Sequence, residues 1–281
     1  MTMPPITPAP VAGLTMDRAR IMGILNITPD SFSDGGELAT MQGAVSRARA
    51  MVGVADILDI GGESTRPGAE TVTIAAEIGR VVPVIDAIRH AGLTIPISVD
   101  TRKAAVALAA LRAGANMIND VSALRYDPDM AHVAAEAGVP ICLMHAQGDP
   151  ATMQQDPRYD DVLSQVYSFL AERIETAVAA GIARDSIVID PGIGFGKTLQ
   201  HNVTLLRGIG RLHGLGRPVL LGASRKRFIG QIGGGSDAHD RLAGSIAVAL
   251  HGAAQGVQIL RVHDTFETRQ ALSLQQALTG Q

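Results

Sequence analysis

The sequence predicts a single α/β domain with the (β/α)8 TIM-barrel fold. Eight short runs rich in β-branched residues alternate strictly with eight segments of helical character over roughly 260 residues. Strict alternation of this kind requires right-handed crossovers and a parallel sheet. An open, doubly wound sheet is the alternative, but eight repeated units of this length are typical of the barrel.

The predicted strands are short and mostly apolar, as expected for parallel strands buried on both faces. In chain order they span 20–26, 56–60, 95–100, 115–120, 139–144, 186–190, 217–222 and 257–263. The predicted helices lie near 38–53, 73–91, 103–113, 129–137, 159–181, 201–213, 240–255 and 266–278. A glycine follows six apolar stretches, where a left-handed residue closes a helix: Gly92, Gly114, Gly138, Gly181, Gly214 and Gly256.

No linker-like composition divides the chain, so residues 20–281 are predicted to form one barrel domain. The proline-rich residues 1–19 are expected to form an extended N-terminal lead-in. A hydrophobic content of 46% with 18% charged residues favours a large buried core. The formal net charge of −3 offers no broad electrostatic reason to bind nucleic acid or an anionic membrane.

Cysteine usage and the N-terminal sequence predict a cytoplasmic protein. The single Cys142 rules out an intramolecular disulfide, and its apolar setting "VPICLM" favours a buried, inert thiol. The N-terminus lacks the order of segments expected in a secretory signal. The last two helices of a barrel offer apolar area for self-association, so a homodimer is expected.

The strand ends are unusually polar, and the active site of a barrel lies where its strands end. These ends carry Asn26, "GGESTRPG", Asp100, Asn119-Asp120, His145, Asp190, "GASRKR" and "RVHD". One such residue alone would indicate only helix capping. Eight polar ends around one mouth predict a site.

The first group of candidate residues is acidic or amidic and comprises Asp100, Asn119 and Asp190. Carboxylates accept hydrogen bonds from ring N–H and amino groups, and a carboxamide both donates and accepts. The group therefore predicts binding of a flat heterocycle along its polar edge.

The second group is cationic and comprises Arg66, Lys226, Arg261 and His263. Arg261 and His263 are two residues apart at the end of strand eight, so their side chains emerge on the same side. The loops after strands seven and eight form the usual phosphate site of barrels. This group predicts a substrate that carries a diphosphate.

Other cofactor motifs are incomplete. "GFGKT" lacks the first glycine of a phosphate-binding loop because position 191 is proline. No cysteine and histidine cluster has zinc spacing. Any metal is expected to be Mg²⁺ that bridges phosphates, with an oxygen ligand such as Asn26.

Seven blocks resemble the dihydropteroate synthase family of the folate pathway, in family order from residue 20 onward. They are "GILNITPDSFSDGG", "DIGGESTRPGAE", "ISVDTRK", "INDVSAL", "VIDPGIGFGKT", "GASRKRFIG" and "RVHD". The resemblance implies a transferase in which para-aminobenzoate displaces pyrophosphate from hydroxymethyl-dihydropterin pyrophosphate. It also implies a sulfonamide target.

The resemblance further implies a role for each matching residue. Asp100, Asn119, Asp190 and Lys226 would hold the pterin, with Asp100, Asp190, Lys226 and Asn26 as the catalytic set. Thr65, Arg66, Arg261 and His263 would bind the pyrophosphate side, where Asn26 would contact Mg²⁺. Phe32, Pro67, Phe195 and Ser224 would form the aminobenzoate pocket, and the polar segment 28–35 would act as a lid over it.

Three alternatives remain open from the sequence. A pterin-dependent methyltransferase barrel shares the acidic and amide residues but does not need the "STRPG" loop or the Arg261 and His263 pair. A Schiff-base aldolase would use Lys226, but that residue follows a loop, where we expect no large fall in its pKa. A catalytically silent pterin-binding module is the third.

Overall fold

The chain folds into eight parallel strands that close into a barrel, as predicted. The computed structural model describes residues 8–27, 36–64, 71–148 and 152–280. The strands are β1 (Arg20–Asn26), β2 (Ile57–Gly61), β3 (Ile97–Asp100), β4 (Met117–Asp120), β5 (Ile141–Met144), β6 (Ile187–Asp190), β7 (Leu220–Leu221) and β8 (Ile259–Val262). They pair in the order β6-β5-β4-β3-β2-β1-β8-β7, and a parallel bridge from Ile189 to Val219 completes the ring.

Nine α-helices occur in the described ranges, one more than predicted. They are α1 (Gly36–Met51), α2 (Ile74–His90), α3 (Ala104–Arg112), α4 (Met130–Ala137), α5 (Val162–Ala179), α6 (Leu199–Arg207), α7 (Arg227–Gly233), α8 (Leu242–Ala254) and α9 (Thr265–Thr279). The unpredicted helix is α7, whose glycine-rich sequence "RFIGQIG" has low helix propensity. None of the helices in these ranges is long and apolar enough to cross a membrane.

Glycine stop signals were correct at five of the six predicted positions. Positive φ angles occur at Gly92, Gly114, Gly138, Gly181 and Gly256. Gly214 instead lies inside a 3-10 helix, Ile209–Leu215, which ends at Gly216 with φ +67°. The helix predicted over 201–213 is therefore split into α6 and this 3-10 turn.

Apolar side chains fill the end of the barrel where the strands begin. Seven strands each contribute one residue to this cluster: Met22, Ile57, Met117, Cys142, Val188, Leu220 and Ile259. Val11 and Met16, from the predicted lead-in, are buried against them. The segment that contains Val11 and Met16 thus packs against the barrel interior. The domain boundary at residue 20 stays a prediction.

Cys142 lies in this cluster with no exposed surface. Burial raises the pKa of its thiol well above the ordinary value. The prediction of a buried thiol is confirmed. The thiolate is the reactive form of cysteine, so the raised pKa agrees with the expectation that the thiol is inert.

The opposite end of the interior carries polar side chains and glycines. A Cβ atom placed on Gly61 would lie 3.4 Å from Asp100 Cβ, and one placed on Gly222 would lie 3.7 Å from Asp190 Oδ2. Small residues at these two positions leave space around the carboxylates. The fold therefore separates a filled, apolar base from a polar mouth.

Candidate active site

An ion-pair network joins β2, β3 and β8 inside the barrel. Arg261 Nε donates to Asp59 Oδ2 at 2.5 Å, and Arg261 Nη2 donates to Asp100 Oδ2 at 2.6 Å. Asp59 is fully buried and Asp100 is 7% exposed. Burial would lower the pKa of the Arg261 guanidinium, but the two carboxylates outweigh burial and raise it.

Asp100 stands between its two protonation states at neutral pH. Burial raises its pKa to about 7, the Arg261 guanidinium opposes this rise, and the neighbouring Asp59 carboxylate adds to it. The side chain is therefore ready to accept a hydrogen bond from a ligand that stabilises the carboxylate.

Asn119 and Asp190 complete the acidic and amide group, and both are buried. Asn119 Nδ2 donates to Asp59 Oδ2 at 3.3 Å. Asp190 Oδ1 accepts from the Gly192 backbone N–H at 2.7 Å. Burial raises the pKa of Asp190, while this hydrogen bond and the Lys226 ammonium oppose the rise.

Lys226 lies against the loop that follows β6. Its Nζ donates to the Ile193 carbonyl at 2.6 Å and stands 3.9 Å from the centroid of the Phe195 ring. Burial lowers its pKa to about 7, with Asp190 acting in the opposite direction. The expectation of no large fall in this pKa was wrong, because the β6–α6 loop folds over the lysine.

Ser224, His263 and Asn26 lie at the ends of neighbouring strands. The Oγ of Ser224 and the Nδ1 of His263 are hydrogen-bonded at 3.0 Å. Asn26 is paired in register with Gly61, and a Cβ on that glycine would lie 3.6 Å from Asn26 Oδ1 and 3.4 Å from Asp100 Cβ. The amide oxygen therefore sits at the same mouth as the carboxylates.

Several predicted site residues lie outside the described ranges, and their roles stay predictions. They are Phe32, Thr65, Arg66 and Pro67, together with the lid predicted over 28–35.

Two residues at the polar strand ends, Asp120 and His145, do not face the mouth, although Asn119 at the same end as Asp120 does. Asp120 accepts hydrogen bonds from the backbone N–H groups of Ser122 and Leu124, at 2.8 and 2.6 Å, and so braces its own turn. His145 packs its ring edge-on against Phe169 of α5, with centroids 4.8 Å apart. Each follows an inward-facing residue, and successive side chains on a strand point to opposite faces. The expectation that all eight ends converge is therefore wrong.

Lys197 is a buried cation that sequence analysis considered only within an incomplete phosphate-loop motif. Its Nζ donates to the carbonyls of Gly192 and Phe195, at 2.8 and 3.0 Å, and lies 3.0 Å from His145 Nδ1. Burial lowers the pKa of Lys197 to about 7. Burial, with Lys197 nearby, also lowers the pKa of His145 to about 3, so the imidazole is neutral. Lys197 thereby ties the loop after β6 to the end of β5.

Asp59 is the second residue that sequence analysis missed. Its signal was a single carboxylate within the otherwise apolar strand "ILDIG". Because a charged side chain is rarely fully buried unless it is paired, this position indicated an internal partner. The sequence alone did not identify that partner as Arg261, which is about 200 residues away along the chain.

Fold and site together define a class of enzyme: a barrel whose mouth presents hydrogen-bond acceptors to a nitrogen heterocycle, with cations beside them. Residues 22–263 match the family described as "Pterin binding enzyme". Dihydropteroate synthase of Synechocystis sp. is 46% identical over 275 residues, which cover 96% of this chain and 95% of that protein. The chain belongs to the pterin-binding enzymes and, among them, to the dihydropteroate synthase family.

Solved structures agree with this assignment. Dihydropteroate synthase of Xanthomonas albilineans with 4-aminobenzoic acid has a TM-score of 0.91 and 48% identity, covering 98% of this chain and 99% of that one. The Yersinia pestis enzyme in a complex with a sulfonamide drug has a TM-score of 0.89 and 45% identity, covering 96% and 98%.

The β6–α6 loop should depend on glycine at position 192. Gly192 has φ +65°, and a Cβ there would lie 1.9 Å from the His145 carbonyl oxygen. We expect Gly192→Ala to lower the free energy of unfolding and to reduce turnover, because the loop that carries Phe195 must move. Urea unfolding and steady-state rates measure both effects.

Gly216→Ala is the matched control, because Gly216 has φ +67° but no atom within 4 Å of the added Cβ. The free energy of unfolding of this variant should fall by only roughly 1–2 kcal/mol, the cost of a left-handed backbone conformation for alanine. Its turnover should be unchanged. Equal losses in the two variants would show that the close approach to His145 is unimportant.

Proposed function

We infer that this chain catalyses the dihydropteroate synthase reaction. In that reaction para-aminobenzoate displaces pyrophosphate from hydroxymethyl-dihydropterin pyrophosphate to form dihydropteroate. The observation that carries the inference is the buried set of Asp100, Asn119 and Asp190 with Arg261 bonded to Asp100, in a barrel that is similar to dihydropteroate synthases over nearly its whole length.

Pterin binding is assigned to Asp100, Asn119, Asp190 and Lys226. The two carboxylates suit ring N–H and amino donors, and the amide of Asn119 adds a further polar contact to the same edge. Lys226, a donor, suits a ring acceptor such as a carbonyl or an imine nitrogen. Burial of these groups strengthens each contact because the local dielectric is low.

Charge placement is the proposed source of catalysis. Breaking the C–O bond to pyrophosphate leaves positive charge delocalised over the pterin, and ionised Asp100 and Asp190 stabilise that charge. The amino group of an arylamine is already neutral at pH 7, so its attack needs no strong base. We therefore propose a largely dissociative substitution.

The departing pyrophosphate is assigned to Arg261 and His263, with Thr65 and Arg66 assigned to the same side by resemblance. Arg261 is already held by two carboxylates, so it joins the pterin side of the site to the phosphate side. Guanidinium and imidazole groups donate to phosphate oxygens and favour loss of the anion.

Mg²⁺ is proposed to assist this departure by neutralising phosphate charge. In the described residues no cluster of three or more His, Cys, Asp or Glu side chains could hold a metal. Asn26 offers a neutral amide oxygen, which fits an ion held mainly by substrate phosphates and water. Asn26 would then orient the ion rather than bind it alone.

The aminobenzoate is assigned to a pocket beside Phe195 and Ser224, with Pro67 and Phe32 contributed by the loops. The Phe195 ring is partly exposed next to the Lys226 ammonium, so an aromatic acid has both an apolar wall and a cation nearby. Sulfonamide drugs are proposed to compete for this pocket.

A two-substrate assay tests the proposed function. Pyrophosphate release should require both the pterin pyrophosphate and para-aminobenzoate, and dihydropteroate should form in equal amount. Asp100→Asn should lower turnover by about 10²-fold or more, the scale of a lost electrostatic contact in the transition state. Asp185→Asn, an exposed carboxylate, is the control. Near-normal turnover in Asp100→Asn would reject the assignment.

The pH dependence of kcat/KM for the pterin substrate should be a narrow bell near neutrality. Asp100 has a pKa of about 7, so at lower pH it is protonated and no longer accepts hydrogen bonds as a carboxylate. The rate should therefore fall as the pH decreases. Lys226 also has a pKa of about 7, so at higher pH it loses its charge and the rate should fall as the pH increases. The residual activity of Lys226→Arg should not decrease at high pH, because a guanidinium group does not titrate in this range. A flat profile from about pH 6 to 9 would contradict both assignments.

We propose that the enzyme is a homodimer and works in the cytoplasm, where a lone buried thiol suits the reducing conditions. Support for self-association is a groove of about 240 Å³ between α6, α7 and α8, lined by Val203, Phe228 and Val248. Ile232 on its rim is 63% exposed. We therefore propose the interface on these three helices rather than on the last two.

Sedimentation analysis tests the dimer. The wild type should sediment as a dimer and Ile232→Glu as a monomer, because a carboxylate in an apolar interface loses its hydration. Leu278→Glu, at a residue that is 78% exposed at the end of α9, should stay dimeric. A monomeric wild type would contradict the proposal.

A further inference from the structure

Asp59 is a buried carboxylate that the proposed reaction does not use directly. It lies in the middle of β2 with no exposed surface. Its Oδ2 accepts from Arg261 Nε at 2.5 Å and from Asn119 Nδ2 at 3.3 Å. Its Oδ1 accepts no hydrogen bond from the described part of the chain. One oxygen atom of Asp59 therefore contacts two residues assigned to the substrate.

The contact with Asn119 determines how that amide is oriented. A carboxylate only accepts hydrogen bonds, so the atom of Asn119 that faces Asp59 must be the NH2 nitrogen. The carbonyl oxygen of Asn119 is then directed away from Asp59. With Asp100 on the neighbouring strand β3 and Asp190 on β6, it adds an acceptor to a set that suits the N–H and amino groups of a heterocycle.

The contact with Arg261 acts in a second way. Arg261 also donates to Asp100, the carboxylate assigned to the pterin. When ring N–H groups engage Asp100, they compete for the oxygen atoms that Arg261 contacts. The bond from Nε to Asp59 does not involve that carboxylate, so it keeps the guanidinium in place throughout.

We propose that Asp59 is a positioning residue of the pterin site, which orients the Asn119 amide and anchors Arg261 and thereby selects heterocycles with N–H donors along the bound edge. This inference rests on the proposed function. It adds a residue that does not itself need to touch the substrate.

Binding of 6-hydroxymethylpterin, measured by calorimetry without the second substrate, tests the proposal. Asp59→Asn should weaken binding roughly 10- to 100-fold, the scale of a hydrogen bond to a charged group. It should also lower the preference for this pterin over its 2-oxo analogue, because the Asn119 amide becomes free to turn. The KM for para-aminobenzoate should change less than twofold.

Asp56→Asn is the matched control. Asp56 precedes the same strand at the opposite end of the barrel. Like Asp59 it pairs with arginine, and it also accepts from the Ile21 backbone N–H. This variant should lose thermal stability but keep both pterin affinity and selectivity. If Asp59→Asn behaves in the same way, its role is structural and the proposal is overturned.

Variants at Asn119 keep the test decisive even if Asp59→Asn does not fold. Asn119→Asp retains the shape and an acceptor oxygen but presents a carboxylate to Asp59. It should bind the pterin no better than Asn119→Ala. Substantially tighter binding by Asn119→Asp would overturn the proposed orientation.

Wild-type binding separates this inference from the proposed function. A wild type that binds neither the pterin nor its 2-oxo analogue contradicts the proposed function itself. A wild type that binds the pterin, together with an Asp59→Asn variant of unchanged affinity and selectivity, overturns only the role of Asp59.

Discussion

The arrangement of the site depends on one guanidinium group held between carboxylates. Arg261 is bonded to Asp59 and Asp100 and also opposes the rise that burial causes in the pKa of Asp190, so a single cation interacts with three acidic side chains of the barrel interior. A buried carboxylate without a partner is costly enough to be protonated instead. Without Arg261, burial would raise the pKa of Asp100 further, and a protonated acid has fewer free acceptors for a ring with N–H donors.

The polar mouth is tolerated because stability is supplied elsewhere in the barrel. Apolar residues from seven strands, together with Val11 and Met16, fill the base. The loop after β6 is held by two lysines, since Lys197 donates to the carbonyls of Gly192 and Phe195 and Lys226 donates to that of Ile193. The apolar base and these lysine contacts hold the charged groups of the mouth in fixed positions. Stabilisation of a transition state by charge requires groups that are preorganised in this way.

Much of the fold was predictable from the sequence because it depends on local signals. Strand and helix alternation, glycine stops and polar strand ends identified the barrel and placed Asp100, Asn119, Asp190 and Arg261 at its mouth. The helix α7 was missed because its glycines oppose its formation, so tertiary contacts decide it. Asp120 and His145 were misplaced because a shift of one residue along a strand reverses the side a residue faces.

Long-range pairing was less accessible from the sequence. No local pattern shows that Asp59 meets Arg261, or that Lys226 is covered by the loop around Phe195. These contacts determine the pKa values of the site, because burial and neighbouring charge set them. Sequence reasoning thus identified the groups that carry charge but not their protonation behaviour.

The closure of the barrel between β6 and β7 has a mechanical consequence. A single bridge, Ile189 to Val219, joins these strands, whereas β1 and β2 share five registered pairs. Asp190 lies on one side of this seam and Lys226 on the other, and the Lys226 bond to the Ile193 carbonyl spans it. A charged ammonium holds a carbonyl more strongly than a neutral amine does. The proton on one lysine therefore helps to set how firmly the two walls of the active site are joined.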